Sequence, residues 1–182
     1  MKKIIIAAIA IAAIAIAPKT NAQTKMVGGA AMYPTKNIVE NAVNSKDHTT
    51  LVAAVKAAGL VETLESTGPF TVFAPTNEAF NKLPAGTVDN LVKPENKEML
   101  TKILTYHVVA GRLSSEDLWA KVKAGNGKTE LTTVQGEKLT AMAKGKKLYL
   151  VDEKGGESWI TIADVNQSNG VIHVVNTVLM PN

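Results

Sequence analysis

The chain reads as an α+β protein, and three features of its hydrophobic pattern lead there. Apolar residues recur at helical spacing through its first half, while a lone strand-like run, Phe70-Thr71-Val72-Phe73, interrupts them. From Glu130 onward, short strand-like runs follow one another almost without a break. Helices early and strands late separate the two kinds of element along the chain, which argues against repeated βαβ units and a parallel sheet.

Each element has its own local reason. Asn37 and Glu40 have the spacing of a capping box, and Ile38, Val39, Ala42 and Val43 follow on one helical face. A second helix is expected from about Thr50, with Leu51, Val52, Val55 and Ala58 in register and Gly59 as its stop. Leu60, Val61 and Leu64 suggest one further turn. Gly68-Pro69 and Ala74-Pro75 bound the first strand. Short helices are expected near Asn77 to Leu83 and Thr87 to Val92, and a longer one from Pro94 carrying Met99, Leu100, Ile103 and Leu104. Tyr106 to Val109 reads as a second strand ended by Gly111, and Ser114 with Asp117 as a second capping box. Leu131 to Val134, Lys138 to Met142, Lys147 to Val151 and Ser158 to Ala163, parted by glycine-containing turns, predict an antiparallel meander. The nearly all-apolar run from Val171 to Met180 predicts a last strand covered on both faces.

The N-terminus has a different logic. Met1-Lys2-Lys3, an unbroken apolar run of 14 residues from Ile4 to Ala17, and Thr20-Asn21-Ala22 have the order of a secretion signal. Residues 1–22 are therefore expected to be removed, 23–36 to be a flexible lead-in, and 37–182 to be the folded domain, secreted or periplasmic. The whole chain of 182 residues carries a formal charge of +4. Lys2, Lys3 and Lys19 account for three of those charges, so the remaining 160 residues keep only +1. That balance excludes an electrostatic nucleic-acid binder. The absence of cysteine excludes a disulfide scaffold, a thiolate metal site and a cysteine nucleophile. No later segment is apolar enough to span a bilayer.

Motif fragments of known chemistries fail on spacing. Gly127-Lys128-Thr129 lacks the earlier glycine of a phosphate loop, since Val122 stands there. Asp164, Asn166 and Ser168 start like a calcium loop, but Gly170 comes one residue late and Val175 occupies the carboxylate position. His48, His107 and His173 show no metalloprotease spacing, and no G-x-S-x-G elbow is present. His107 and His173 sit in apolar surroundings, so each imidazole is expected to satisfy buried partners, with neither metal nor cofactor. An enzyme would have to draw on His107, His173 and Asp164, the sole titratable candidates. The cluster Lys144, Lys146, Lys147 is expected to decorate a solvated hairpin tip.

Three segments resemble the fasciclin (FAS1) family. Gly68 to Phe80, reading Gly-Pro-Phe-Thr-Val-Phe-Ala-Pro-Thr-Asn-Glu-Ala-Phe, is similar to its first signature. Tyr106-His107 looks like its tyrosine–histidine motif, and Asn169 to Pro181 is similar to its second signature. Phe70, Phe73, Pro75, Thr76, Asn77, Phe80, Gly170, His173 and Asn176 are the signature positions, read as folding core rather than reaction centre. The resemblance implies a wedge of two antiparallel-rich β-sheets with a flanking layer of short helices, used in adhesion or interaction at the cell surface or extracellular matrix. It also implies interaction candidates. In animal members an Asp-Ile pair and the tyrosine–histidine region are implicated in integrin binding, and Asp164-Val165 and Tyr106-His107 occupy those places here. Asn166 stands where an apolar residue is usual and Asn176 where an acidic one is, so a general interaction role carries over. The expected function is a non-catalytic binding module for a cell-surface or matrix protein or a polysaccharide. The alternative is a carrier of an apolar small molecule such as a pigment or lipid, held in a groove lined by Trp119, Trp159, Met142 and Met180.

Overall fold

The computed structural model describes residues 23–182. The expected secretion signal, residues 1–22, lies outside them. Among the described residues, no helix is long and apolar enough to cross a membrane.

The described chain opens on a hairpin of β1 (Lys25–Val27) and β2 (Ala30–Met32), where a flexible lead-in was expected. Gly28 and Gly29 both take positive φ, as a two-residue hairpin turn demands, and Val27 and Met32 enter the core. The glycine pair that suggested flexibility is the turn itself. Helix α1 (Ile38–Ala42) begins at the expected box: the Asn37 side chain accepts from the Glu40 N–H at 2.8 Å, and Glu40 accepts from the Asn37 N–H at 2.7 Å. Helix α2 (Thr49–Ala58) stops at left-handed Gly59, and α3 (Val61–Glu65) follows. Beyond β3 (Phe70–Pro75) come α4 (Asn77–Asn81), α5 (Thr87–Leu91) and α6 (Lys97–Tyr106). Strand β4 (Val108–Ala110) leads to α7 (Ser115–Ala124), opened by the Ser114–Asp117 box. The meander is β5 (Lys128–Thr132), β6 (Lys138–Lys144), β7 (Lys147–Val151) and β8 (Glu157–Gln167), and β9 (Gly170–Val175) closes the set.

Seven strands run in the order β4-β3-β9-β8-β7-β6-β5, with all neighbours antiparallel except β3 and β9. The two arms of the wedge meet in β8. Its start pairs with β7 through Trp159↔Tyr149, and Ile160 to Gln167 pairs with β9 across two register shifts. Bulges of this kind bend a strand. Strand β3 then separates two cores by simple alternation. Val72 and half-buried Phe70 join helices α1 to α6 on one side, while Phe73 joins Tyr106, Leu118, Leu139, Leu150 and Leu179 beside α7 on the other.

Two expected strands are corrected. Tyr106 is the last residue of helix α6 and His107 its C-cap, with Tyr106 turned into the second core while Leu100, Ile103 and Leu104 face the first; β4 starts only at Val108. The last strand ends at Val175, not Met180. Past it, backbone N–H groups find side chains instead of a ladder: Thr177 N–H donates to Ser158 Oγ, Leu179 N–H to His107 Nε2 and Met180 N–H to Asp152 Oδ2. Buried Val178 and Leu179 supplied the apolar run without being strand.

Candidate functional site

The polar hallmark residues collect where β3, β8, β9 and the ends of α6 and α7 meet. His107 ends α6 and donates Nδ1–H to the Ile103 carbonyl at 2.8 Å, one turn back, while Nε2 accepts the Leu179 N–H at 3.0 Å. His173 lies in the middle of β9, stacked on Phe73 with ring centroids 5.7 Å apart. It has the opposite tautomer: Nε2–H donates to the Leu113 carbonyl at 2.8 Å and Nδ1 accepts the Asp164 N–H at 3.2 Å. A neutral imidazole has one donor and one acceptor, and here both are spent on backbone. Burial pushes both pKa values down, that of His107 to about 4. Neither ring nitrogen is left free to bind a metal or pass a proton. Among the described residues, no group of three or more His, Cys, Asp and Glu side chains could hold a metal ion.

Asp164 sits at φ 56 in the second irregularity of β8. Its carboxylate accepts the Ser115 N–H at 2.6 Å and the Ser115 hydroxyl, so it ties the bulge to the start of α7. Serine, aspartate and histidine thus lie close by, but the histidine faces the Asp164 backbone and Leu113, so no proton relay links the three.

The interaction candidates need correction in this light. Tyr106, His107 and Val165 are 0 %, 2 % and 1 % exposed, leaving almost no surface for a partner to touch. The Tyr106 hydroxyl donates to the Lys138 carbonyl at 2.7 Å, and burial raises its pKa to about 12. Only Asp164 is half exposed, and both its oxygens are occupied.

The other signature positions hold elements together. The Thr76 side chain caps α4 through the Ala79 N–H. Asn77 accepts the Thr50 N–H at 3.0 Å and donates to the Lys46 carbonyl at 2.8 Å, which joins α4 to the start of α2. Pro75 ends β3 and Phe80 is buried in the first core. Gly170 lets β9 approach β3: a Cβ there would stand 2.2 Å from the Phe70 carbonyl oxygen. Asn176 accepts the Trp159 N–H at 2.9 Å past the end of β9.

Several buried polar residues were not anticipated from the sequence, four of them against the helical layer. Asn169 accepts the Ile38 N–H and donates to the Leu64 and Ser66 carbonyls, while Asn41 bonds the Tyr33 backbone twice and donates to Gln167. The fourth, His48, is buried at the start of α2. The available signal was weak: Asn41 is three positions from Ile38 on the core face of α1, where a polar residue must find partners.

The proposed carrier groove does not form. Trp119 is on α7, while Met142 and Trp159 are on β6 and β8 and alternate with the buried residues of those strands. Met180 packs against the first core. On the meander face turned away from α7, Lys128, Met142, Tyr149 and Trp159 stand in cross-strand register, and the Tyr149 and Trp159 rings stack 4.6 Å apart. Lys144, Lys146 and Lys147 are exposed at the β6–β7 tip.

Comparison with known proteins agrees with this architecture. The family model for the fasciclin domain matches residues 46–181. Protein sll1483 of Synechocystis is 47% identical over 163 residues, covering 90% of this chain and 83% of that one. The cell surface glycolipoprotein MPB83 of Mycobacterium bovis is 35% identical over 160 residues, covering 85% and 64%. The solved FAS1 domain pair of the insect cell adhesion molecule fasciclin I superposes with a TM-score of 0.69 at 18% identity, a likeness of fold. The superposition covers 80% of this chain and about half, 51%, of that pair. By sequence match and by fold, the chain belongs to the fasciclin domain family.

Proposed function

We propose that the protein is a secreted or periplasmic interaction module without catalysis, which holds a cell-surface protein through the outer face of its meander. The observation that carries this reading is the ladder Lys128–Met142–Tyr149–Trp159 with its stacked aromatic pair. Trp, Tyr and Met are the residue types over-represented where proteins meet, and aromatic anchors supply most of the energy there. The histidines support the non-catalytic part, because their ring nitrogens are committed to backbone partners. The leader-like residues 1–22 support the location, as do a relative named for the cell surface and a fold neighbour named for cell adhesion.

The test is crosslinking in the envelope of the native host, read by mass spectrometry, with the Trp159→Thr variant beside the wild type. One or a few envelope proteins should be captured by the wild type and reduced at least fivefold with the variant. Equal capture by both, or capture abolished by removing envelope polysaccharide, contradicts a protein partner on this face.

A second reading, carriage of an apolar small molecule, is favoured by an apolar cavity under α2, away from the groove first expected for it.

A further inference from the structure

The outer meander face is sorted by charge as well as by polarity. Two residues along the strands from the Lys128–Met142–Tyr149–Trp159 row, Lys144 and Lys147 stand directly opposite each other across the β6–β7 turn. Lys146 lies within that turn, and Lys128 is diagonal to Lys144 on the same face. On the other side of the row come Glu130, Thr140, Val151 and Glu157, again in cross-strand register. The face therefore runs from lysines, across Met142, Tyr149 and Trp159, to glutamates. All four lysines and both glutamates are exposed. Among the described residues the one ion pair is Lys102–Glu137, which involves none of them.

The fold does not ask for this arrangement. In the turn only Gly145 meets a backbone demand, with φ 61 at the first central position. Like charges placed directly opposite on paired strands repel and weaken the pairing, whereas a lysine facing a glutamate would support it. Guarding a sheet edge does not account for Lys144 and Lys147 either, because β6 and β7 are inner strands of the seven. Positions that break a local rule without a structural return are where function is expected. The charge order also says what covers the ladder. A partner whose apolar residue lies on Tyr149 and Trp159 meets lysines on one side and glutamates on the other. Its carboxylates are then favoured toward the β6–β7 tip and repelled from the opposite flank. Ammonium groups on flexible, exposed stems receive carboxylates as point charges and need no fixed geometry.

We propose that the outer meander face takes an acidic protein segment, with an aromatic or apolar residue resting on the Tyr149–Trp159 pair and neighbouring carboxylates lying over Lys128, Lys144, Lys146 and Lys147. This rests on the reading of that face as the contact surface and adds the partner's chemistry to it. The probe is a fluorescein-labelled synthetic peptide with one tryptophan followed by a run of aspartates, beside a counterpart carrying asparagines, both read by fluorescence anisotropy against the full chain. The acidic peptide should bind saturably and about tenfold more tightly than its counterpart in low salt, the worth of a few solvated charge pairs acting together. It should lose most of that advantage at about 0.5 M salt. Lys147→Glu should abolish the advantage yet melt at or above the wild-type temperature, since it turns the opposed lysines into an unlike pair. Lys93→Glu, the same charge change between α5 and α6, should leave the advantage intact, and Trp159→Thr should weaken both peptides. Equal binding of the two peptides overturns the proposal, as does an equal loss with Lys93→Glu, which would reduce the effect to net charge. Tighter binding of a polyuronate through the same lysines also overturns it, in favour of a polysaccharide. In envelope crosslinking the two readings fail differently. Capture indifferent to Trp159→Thr contradicts this face as the contact, whereas capture lost with Trp159→Thr and unchanged with Lys147→Glu contradicts only the acidic partner.

Discussion

His107 and His173 use their ring nitrogens in opposite senses, and the geometry of each fixes its tautomer. Protonating His107 would put a hydrogen on Nε2, where the Leu179 N–H already points. An ordinary histidine titrates near 6.5, and burial holds His107 at about 4. Between those values the unfolded chain binds a proton that the folded chain refuses. The stability contribution is therefore complete above pH 6.5 and is lost as the pH falls to 4, amounting to roughly 3 kcal/mol. His48 and His173 are displaced in the same direction by burial and steepen the same slope. Urea midpoints between pH 7 and 4 should fall steeply for the wild type and less steeply for His107→Gln, whatever that variant costs at neutral pH. Parallel slopes would contradict the assigned role. At this scale the sequence was informative about polarity and silent about exposure. Buried histidines with satisfied partners were legible from their apolar neighbours, whereas the resemblance that made Tyr106, His107 and Val165 contact residues carried no sign that all three are buried.

Elements were legible wherever their ends carry their own chemistry. The Asn37 and Ser114 boxes and Gly59 each announce a helix terminus through residues a few positions apart, and each is found where expected. The errors fall where partners come from far away. The backbone after Val175 is satisfied by Ser158, His107 and Asp152, which no local pattern reveals. The parallel pairing of β3 with β9 joins segments a hundred residues apart, although both were recognised as apolar strands. Gly170 is the point at which that pairing is most exacting. Its alanine variant would drive Cβ into the Phe70 carbonyl, a backbone atom that cannot swing away. A loss of about 3 kcal/mol is expected, measured by chemical denaturation. A loss below about 0.5 kcal/mol would mean that the strands separate freely there.

The described residues form two cores sharing β3 and β9, so the hallmark segments are the wall that both cores press against. That explains why the signatures announced the fold so well: they hold the residues on which both arms of the wedge depend. It also explains why they disclose little about a partner, since a wall buried on both sides meets nothing outside. The segregation of early helices from late strands was visible from periodicity alone, and the cavity under α2 was not, because its lining comes from elements spread across most of the domain. The central claim is that the hallmark polar residues build the domain while the outer meander face meets its partner. The most direct measurement compares partner crosslinking and melting temperature for His107→Gln and Trp159→Thr. His107→Gln should melt at least 5 °C lower with capture per folded molecule unchanged. Trp159→Thr should melt within about 3 °C of the wild type and lose most capture. If His107→Gln abolishes capture while folding normally, and Trp159→Thr captures as the wild type does, the assignment of architecture and contact is reversed.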